Sequence, residues 1–265
     1  MTLIDTHAHL DLPEFNGDLD DAIQRAQKAG IEKIITVGIG IRECKKALKI
    51  ADSYPFIYAA VGIHPHNAKE LDLKALEFLE SHSVNRKVVA IGEMGLDFYR
   101  NLSPKEDQIR CFRAQLDLAN SLKLPVIIHD REAHQETLSV LREENGARAG
   151  GVVHCFSGDI KMAYSCMDMG LYISIPGTIT FKNAKTVHDV VKKVPLESLL
   201  IETDAPFLAP VPYRGKRNEP AYVKMVAEKI ADIKKVPLDE VARTTTLNAK
   251  KLFPIMKCSS EPVDG

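Results

Sequence analysis

Short apolar runs alternate with longer amphipathic segments along nearly the whole chain. The runs are rich in β-branched residues, and each is followed by a turn or a polar residue, which is typical of buried parallel strands. Eight runs of this kind predict eight strands, at Leu3–His7, Lys33–Val37, Ile57–Val61, Val88–Gly92, Val126–His129, Gly151–His154, Leu171–Ile175 and Leu199–Thr203.

The segments between these runs carry the spacing and the end signals of helices. Asp18–Ala29 places its apolar residues on one helical face and is followed by a glycine. A capping box that begins at Ser103, with proline at the first helical position, predicts a helix that runs to about Ser121. Two further helices are predicted near the end of the chain, at Ala221–Ile233 and Leu238–Thr245.

Eightfold alternation of strands and helices predicts an α/β fold, a single (β/α)8 TIM barrel with an additional C-terminal helix. The length of 265 residues suits that fold, which typically uses about 250. The alternative is a doubly wound open sheet, but neither GxGxxG after the first strand nor GxxxxGK followed by Ser or Thr occurs. We expect the barrel domain to span residues 1–256 and the small, polar residues 257–265 to form a disordered tail.

Composition narrows the functional classes. With 35 Lys and Arg against 36 Asp and Glu, the formal net charge is −1, so a nucleic acid would be held by a local patch or by bound metal. Five scattered cysteines without a CxxC pair argue against a disulfide framework and favour a reducing, cytoplasmic location. No apolar run is long enough for a membrane span, so no membrane partner is predicted, and no obligate protein partner is evident.

Histidines and acidic residues gather at the C-terminal ends of the predicted strands, where barrel enzymes keep their active sites. Positions two apart on a strand point the same way, so the pair at the end of the first strand can bind one ion, while Glu202 and Asp204 compete for a ligand role. Imidazole and carboxylate ligands without thiolate suit Zn, Mn, Mg, Fe or Co. The candidate metal ligands are His7, His9, Glu93, His129, His154 and one of the pair Asp204 and Glu202. A non-catalytic metal-binding or scaffold protein is the alternative, which a missing ligand would indicate.

Seven short motifs occur in order over roughly residues 3–254: Asp5–Leu10, Gly62–His66, Gly92–Asp97, His129–Arg131, His154–Gly158, Glu202–Pro206 and Arg214–Pro220. Each string is weakly specific by itself. Together they resemble the TatD family of metal-dependent deoxyribonucleases, which belongs to the amidohydrolase-type metal barrels.

The resemblance implies two divalent metal ions per chain that share one carboxylate. The first metal would be held by His7, His9, Glu93 and Asp204. The second would be held by the bridging Glu93 with His129 and His154. Mg or Mn is expected in activity, while Zn, Fe or Ni also fits this ligand set.

The same resemblance favours Asp204 over Glu202 as a ligand and leaves Glu202 to orient one. It implies that a metal-activated water attacks a phosphodiester, with Glu93 and Asp204 as the catalytic residues and Asp204 taking the proton. Cys155 follows His154 directly, so strand alternation predicts that its side chain faces away from the metals into the barrel wall.

Substrate contacts are expected from basic residues near the same strand ends. His64 and Arg131 could contact phosphate oxygens, and Arg214, Lys216 and Arg217, in the loop after the eighth strand, could grip the phosphate backbone. The resemblance implies a 3′–5′ exonuclease whose partner is DNA, as single strands or ends, with RNA or tRNA as further candidates. A metal-dependent ester hydrolase, such as a D-aminoacyl-tRNA deacylase, is the alternative.

Overall fold

Eight parallel strands in chain order form the central sheet of the structure, a computed structural model that describes residues 1–257. All eight predicted strands are present, although β4 continues five residues beyond its predicted end. The strands are β1 (Leu3–Ala8), β2 (Ile31–Val37), β3 (Ile57–Val61), β4 (Val88–Asp97), β5 (Val126–Arg131), β6 (Gly151–Val153), β7 (Leu171–Ile175) and β8 (Leu199–Ile201).

The sheet closes into a nearly complete barrel just beyond β8. Ala8 and Ala205 form an isolated parallel bridge, the backbone N–H of Asp204 donates to the carbonyl of His7 at 2.9 Å, and that of His9 donates to the carbonyl of Ala205 at 2.7 Å. The hydrogen bonds that close the barrel therefore also place three predicted metal ligands side by side. The fold is the predicted α/β TIM barrel.

Nine α-helices occur between residues 1 and 257, connecting the strands and ending with the additional C-terminal helix. None of them is long and apolar enough to cross a membrane. They are α1 (Leu19–Lys28), α2 (Ile41–Ser53), α3 (Leu73–Ser83), α4 (Lys105–Leu122), α5 (His134–Glu143), α6 (Ile160–Asp168), α7 (Lys185–Lys193), α8 (Val223–Lys234) and α9 (Leu238–Leu252).

The start of α4 differs from the expected capping box. Pro104 precedes the first helical residue, and no side chain caps this end of the helix. The hydroxyl of Ser103 instead donates to the carbonyl of His66 at 2.8 Å. The prediction of a cap was wrong because a buried loop that borders the barrel mouth takes up the serine hydroxyl.

The end of α9 was also predicted incorrectly, since the helix continues past Thr245 to Leu252. Thr and Asn have modest helix propensity, which suggested an end. In the structure, however, the buried side-chain amide of Asn248 donates to the carbonyls of Leu196 at 2.9 Å and Leu199 at 2.8 Å. These tertiary hydrogen bonds hold the polar segment in the helix.

Apolar side chains from strands all around the ring contact one another and the end of α9, with Phe253 and Met256 buried among them. They fill the barrel interior and close its base, which leaves the polar side chains at the opposite mouth. A last helical turn ends at Lys257, so residues 258–265 of the predicted tail lie outside the described residues, and the boundary at residue 256 stays a prediction.

Strand β4 approaches β5 very closely at Gly95, where φ is 137°. A Cβ atom there would lie 2.0 Å from the carbonyl oxygen of His129. Glycine alone combines this backbone angle with this approach, so the position of His129 depends on the absence of a side chain on the neighbouring strand.

We expect Gly95→Ala to displace His129 and to lower the free energy of unfolding by about 2 kcal/mol or more, because backbone atoms must move. Urea unfolding and metal content of the folded variant measure the two effects. Gly17→Ala is the matched control, since nothing lies within 4 Å of a Cβ there. Equal stability and metal content in the two variants would contradict the prediction.

Candidate metal centre

Four side chains at the barrel mouth form a first cluster of nitrogen and oxygen atoms. The Nε2 atoms of His7 and His9 lie 3.2 Å apart. Glu93 Oε2 lies 3.3 Å from His7 Nε2 and 3.6 Å from His9 Nε2. Asp204 Oδ1 lies 3.4 Å from His9 Nε2 and 3.8 Å from His7 Nε2. The end of β1, strand β4 and the loop after β8 therefore converge on one point.

The other oxygen of Glu93 belongs to a second cluster. Glu93 Oε1 lies 2.7 Å from both His129 Nδ1 and His154 Nε2, and these two nitrogens are 3.2 Å apart. His129 lies on β5 and His154 directly follows β6. The structure thus brings together all six residues that were expected to bind metal and places Glu93 between the two clusters.

The outer contacts of three imidazole rings, two of them hydrogen bonds and the third an ion-pair contact, indicate which nitrogen faces away from the clusters. His9 Nδ1 lies 2.8 Å from the carbonyl oxygen of Val37, to which it can only donate. His129 Nε2 lies 3.3 Å from Asp97 Oδ2, and His154 Nδ1 lies 3.4 Å from Glu202 Oε1. In the neutral rings, the nitrogens that face the clusters consequently carry lone pairs.

Lone pairs that face carboxylate oxygens at these distances have no hydrogen between them, so each gap needs a proton or a metal cation. Atoms bound to one ion at about 2.0–2.2 Å lie about 3 to 3.6 Å apart, and the first cluster shows spacings of 3.2–3.8 Å. Glu93 Oε2 is buried without a hydrogen-bond partner. The donor set therefore fits divalent metal binding.

Electrostatics keep the two acidic residues charged. Burial alone raises the pKa of Glu93, but the surrounding histidines hold it well below its usual range. Burial likewise opposes ionisation of Asp204, and His9 lowers the pKa of that carboxyl. In return, Asp204 and Glu93 outweigh burial and raise the pKa of His9 to about 9. Protons therefore compete with metal for the same lone pairs.

His64 differs from the clustered histidines because its hydrogen is on the ring nitrogen that faces the clusters. Its Nδ1 accepts a hydrogen bond from the backbone N–H of His66 at 3.1 Å, so the neutral ring carries its hydrogen on Nε2. That Nε2 lies 3.3 Å from Glu93 Oε1 and from His129 Nδ1. Burial lowers the pKa of His64 to about 4. His64 is therefore a hydrogen-bond donor at the edge of the second cluster.

Asp97 is a supporting residue that sequence reasoning missed. Its Oδ2 lies 3.3 Å from His129 Nε2 and 2.8 Å from His66 Nε2, while Oδ1 accepts the backbone N–H of Arg100 at 2.7 Å. Burial opposes its charge, but these hydrogen bonds hold the pKa of Asp97 well below its usual range. The sequence did contain a signal for Asp97, because it lies four positions after Glu93 on β4, and residues an even number of positions apart on a strand point to the same side.

Glu202 lies beneath the barrel mouth, close to His7 and His154. It is fully buried, its Oε1 accepts the backbone N–H of Cys155 at 2.6 Å, and its carboxylate comes within 4.8 Å of nitrogens of both His7 and His154. Its Oε1 lies 3.4 Å from His154 Nδ1, and its Oε2 is buried without a hydrogen-bond partner. Asp204 rather than Glu202 contacts His9 at the mouth, and the orienting role of Glu202 stays a prediction.

A cleft of about 850 Å³ opens above the two clusters. Arg131 lines it, and its guanidinium lies 4.1 Å from the centre of the Tyr99 ring. Cys155 also lines the cleft, so the prediction that it faces away into the barrel wall was wrong. Its φ of 44° shows why, because the chain has left the extended conformation that alternation assumes.

The basic loop after β8 divides into two parts. Arg214 lies against Phe181, a residue of the cleft wall, with its guanidinium 4.6 Å from the ring centre, and Lys216 is exposed. Arg217 instead binds Asp18 through two hydrogen bonds of 2.6 and 2.7 Å and lowers the pKa of Asp18 to about 2. Its guanidinium fastens the loop to the start of α1, so we withdraw it as a phosphate contact.

A family model, TatD related DNase, matches residues 4–254. The chain belongs to the TatD family. It is 47% identical to the uncharacterized metal-dependent hydrolase YabD of Bacillus subtilis over 253 residues, covering 96% of this chain and 99% of YabD. It is 36% identical over 259 residues to the 3′–5′ ssDNA/RNA exonuclease TatD of Salmonella typhimurium, covering 96% and 100%.

The TatD assignment extends to solved structures. The TatD homologue YjjV of Escherichia coli K12 superposes with a TM-score of 0.90 at 37% identity and covers 95% of this chain and 98% of its own. The expected family and fold are confirmed, and this TatD protein is a metal-dependent hydrolase. The role of each named side chain, and the number and kind of metals, stay predictions.

Asp97→Asn tests whether the outer carboxylate orients His129. We expect a metal affinity about 10- to 100-fold lower, because such supporting partners typically contribute that much, with folding unchanged. Titration against a fluorescent chelator measures the affinity. The exposed Asp117 on α4 offers the matched control Asp117→Asn, and equal affinities of the two variants would count against the orienting role.

Competition between protons and metal predicts a pH dependence. Because the pKa of His9 in the folded protein is about 9, its ring holds a proton below that pH, and a metal must displace it. We expect the metal affinity to rise by up to about tenfold per pH unit per displaced proton as the pH approaches 9. Calorimetric titrations at several pH values measure this slope, which His9→Gln should reduce. A pH-independent affinity would refute the competition.

Proposed function

We propose that this TatD-family hydrolase cleaves phosphodiester bonds of single-stranded nucleic acid and removes nucleotides of DNA from the 3′ end. The observation that carries the proposal is the carboxylate of Glu93, whose two oxygens each face a separate pair of imidazole nitrogens. The naming of the Salmonella typhimurium relative as a 3′–5′ ssDNA/RNA exonuclease supports the choice of substrate.

Two divalent cations fit this arrangement, one at each cluster. His7, His9, Glu93 and Asp204 would hold the first, and Glu93, His129 and His154 would hold the second. Mg²⁺ or Mn²⁺ suits the phosphate chemistry, while Zn²⁺, Fe²⁺ or Ni²⁺ suits the imidazole donors. Such ions supply polarisation of the phosphodiester and a lowered pKa of water at the site.

Asp204 is the group that we propose accepts the proton of the attacking water. Its side chain is more exposed to the cleft than that of Glu93, at 13% against 2%, so water and substrate reach it. The histidines outweigh burial and hold its pKa below the usual range, which keeps the carboxylate in the unprotonated form that a proton acceptor needs. Glu93 stays buried and holds the two clusters in register.

His64 and Arg131 are proposed to bind the oxygens of the scissile phosphate. The Nε2–H of His64 is oriented by the backbone N–H of His66, and Arg131 keeps its guanidinium at the cleft wall by stacking on Tyr99. Arg214 and Lys216 lie further out and would contact phosphates along the strand. The weak net charge confines this attraction to the cleft.

The cytoplasm is the proposed location of this activity. Cys44, Cys111, Cys155 and Cys166 form no disulfide, and free thiols persist in reducing compartments. Single-stranded intermediates of nucleic acid metabolism would be accessible there.

The experiment compares metal-loaded wild type and Glu93→Ala on a labelled single-stranded DNA oligonucleotide and on D-aminoacyl-tRNA. We expect the wild type to shorten the oligonucleotide stepwise from its 3′ end and the variant to lose about 1000-fold or more in kcat, because both clusters lose their shared ligand. Circular dichroism shows whether the barrel remains folded.

Glu80→Ala removes an exposed glutamate on α3 and serves as the matched control. Turnover retained by Glu93→Ala at saturating metal would contradict the shared carboxylate. Release of D-amino acid by the wild type, without any shortening of the oligonucleotide, would replace the proposal by the deacylase alternative.

A further inference from the structure

A half-exposed aromatic side chain stands beside the first cluster with no role in the chemistry described above. Phe207 is 48% exposed, lines the cleft, and its ring centre lies 6.1 Å from that of His9 in an edge-to-face arrangement. Leu208, which follows it, lines the same wall. The contacts with His9 leave much of the Phe207 ring open to the cleft.

The backbone that carries this ring is firmly held. The N–H of Phe207 donates to the carbonyl of Asp204 at 2.8 Å. The buried amide of Asn218 donates to the carbonyls of Phe207 at 2.6 Å and Thr203 at 2.8 Å, and its backbone N–H donates to the carbonyl of Pro206 at 3.0 Å. Asn218 thus holds the backbone of Phe207 in place relative to the proposed proton acceptor Asp204.

The two walls of the cleft differ in chemistry. Arg100 and Arg131 line the cleft beside the ends of β4 and β5, whereas Phe207 and Leu208 line it in the loop after β8. Cationic side chains suit phosphate oxygens, and exposed aromatic rings provide the surface on which bases of single strands stack. A backbone that is already held in place loses little conformational entropy when a ligand binds.

We propose that Phe207 is a stacking surface for one of the two nucleobases that flank the scissile phosphodiester. The inference rests on the proposed function and assigns the apolar wall a share in substrate selection. The fixed distance between the ring and Asp204 would then place the adjoining phosphate over the two clusters. A strand with its bases paired inside a duplex could not present a base face to this wall.

The test combines each protein variant with each substrate variant, in the manner of a double-mutant cycle. Phe207→Ala, Phe207→Leu and Phe207→Tyr are assayed, metal-loaded, on single-stranded DNA oligonucleotides with all bases present, with an abasic 3′-terminal nucleotide, or with an abasic penultimate nucleotide. The exposed Tyr164 on α6, at 46%, lies outside the cleft lining and gives the matched control Tyr164→Ala.

On the intact oligonucleotide, we expect Phe207→Ala and Phe207→Leu to lose roughly 5- to 150-fold in kcat/KM, the range that base stacking on aromatic rings gives. Phe207→Tyr and Tyr164→Ala should stay near the wild type. One of the abasic oligonucleotides should cost the wild type a similar factor and should abolish the difference between wild type and Phe207→Ala.

Equal losses of Phe207→Ala on all three oligonucleotides, or no loss at all, would overturn the stacking role. Metal content distinguishes these results from damage to the Asp204 loop, since Phe207→Leu keeps apolar bulk there and should retain metal. A wild type that cleaves none of the oligonucleotides would overturn the proposed function itself, and this inference with it.

Discussion

The mutual approach of imidazole lone pairs and carboxylate oxygens around Glu93 is the constraint on which the rest of the site depends. Hydrogen bonds on the outer side of His9 and His129 turn the lone pairs inward, where only protons or metal cations can separate them from the carboxylate oxygens. The barrel supports this arrangement because the ends of five strands bring the six side chains together from different directions, two of them from β1. The same close contacts between histidines and carboxylates therefore create the affinity for metal and shift the pKa values of these groups.

Closure of the barrel and assembly of the first cluster are a single event. The hydrogen bonds that join the end of β1 to the loop after β8 involve the backbones of His7, His9 and Asp204. At the opposite end, Phe253 and Met256 close the base with apolar side chains. The polar cluster residues are consequently gathered at the opposite mouth, where Glu93 Oε2 is buried without a hydrogen-bond partner.

The loop after β8 carries both the candidate metal ligand Asp204 and the ring of Phe207 that is proposed to bind a base. Asn218 holds the backbone on both sides of the ligand loop, and Arg217 fastens the outer part of the loop to Asp18. Of the basic residues in this loop that were expected to contact phosphate, Arg217 instead holds the loop to the start of α1. The same rigidity that fixes Asp204 also presents the ring of Phe207 to the cleft, opposite the wall that carries Arg131.

The sequence by itself determined the eight strands, the barrel and the strand-end positions of the polar residues, because apolar runs and the residues that follow them are local patterns. The ordered motifs that resemble the TatD family then selected Asp204 over Glu202 to complete the six residues of the two clusters. Only the tertiary structure decided which oxygen of Glu93 faces which histidines and that Asp97 supports His129. It also turned Cys155 into the cleft and Arg217 away from it. These outcomes depend on contacts between distant residues, such as Arg217 with Asp18 across 199 positions, and on single backbone angles. Neither leaves a periodic trace in the order of the amino acids.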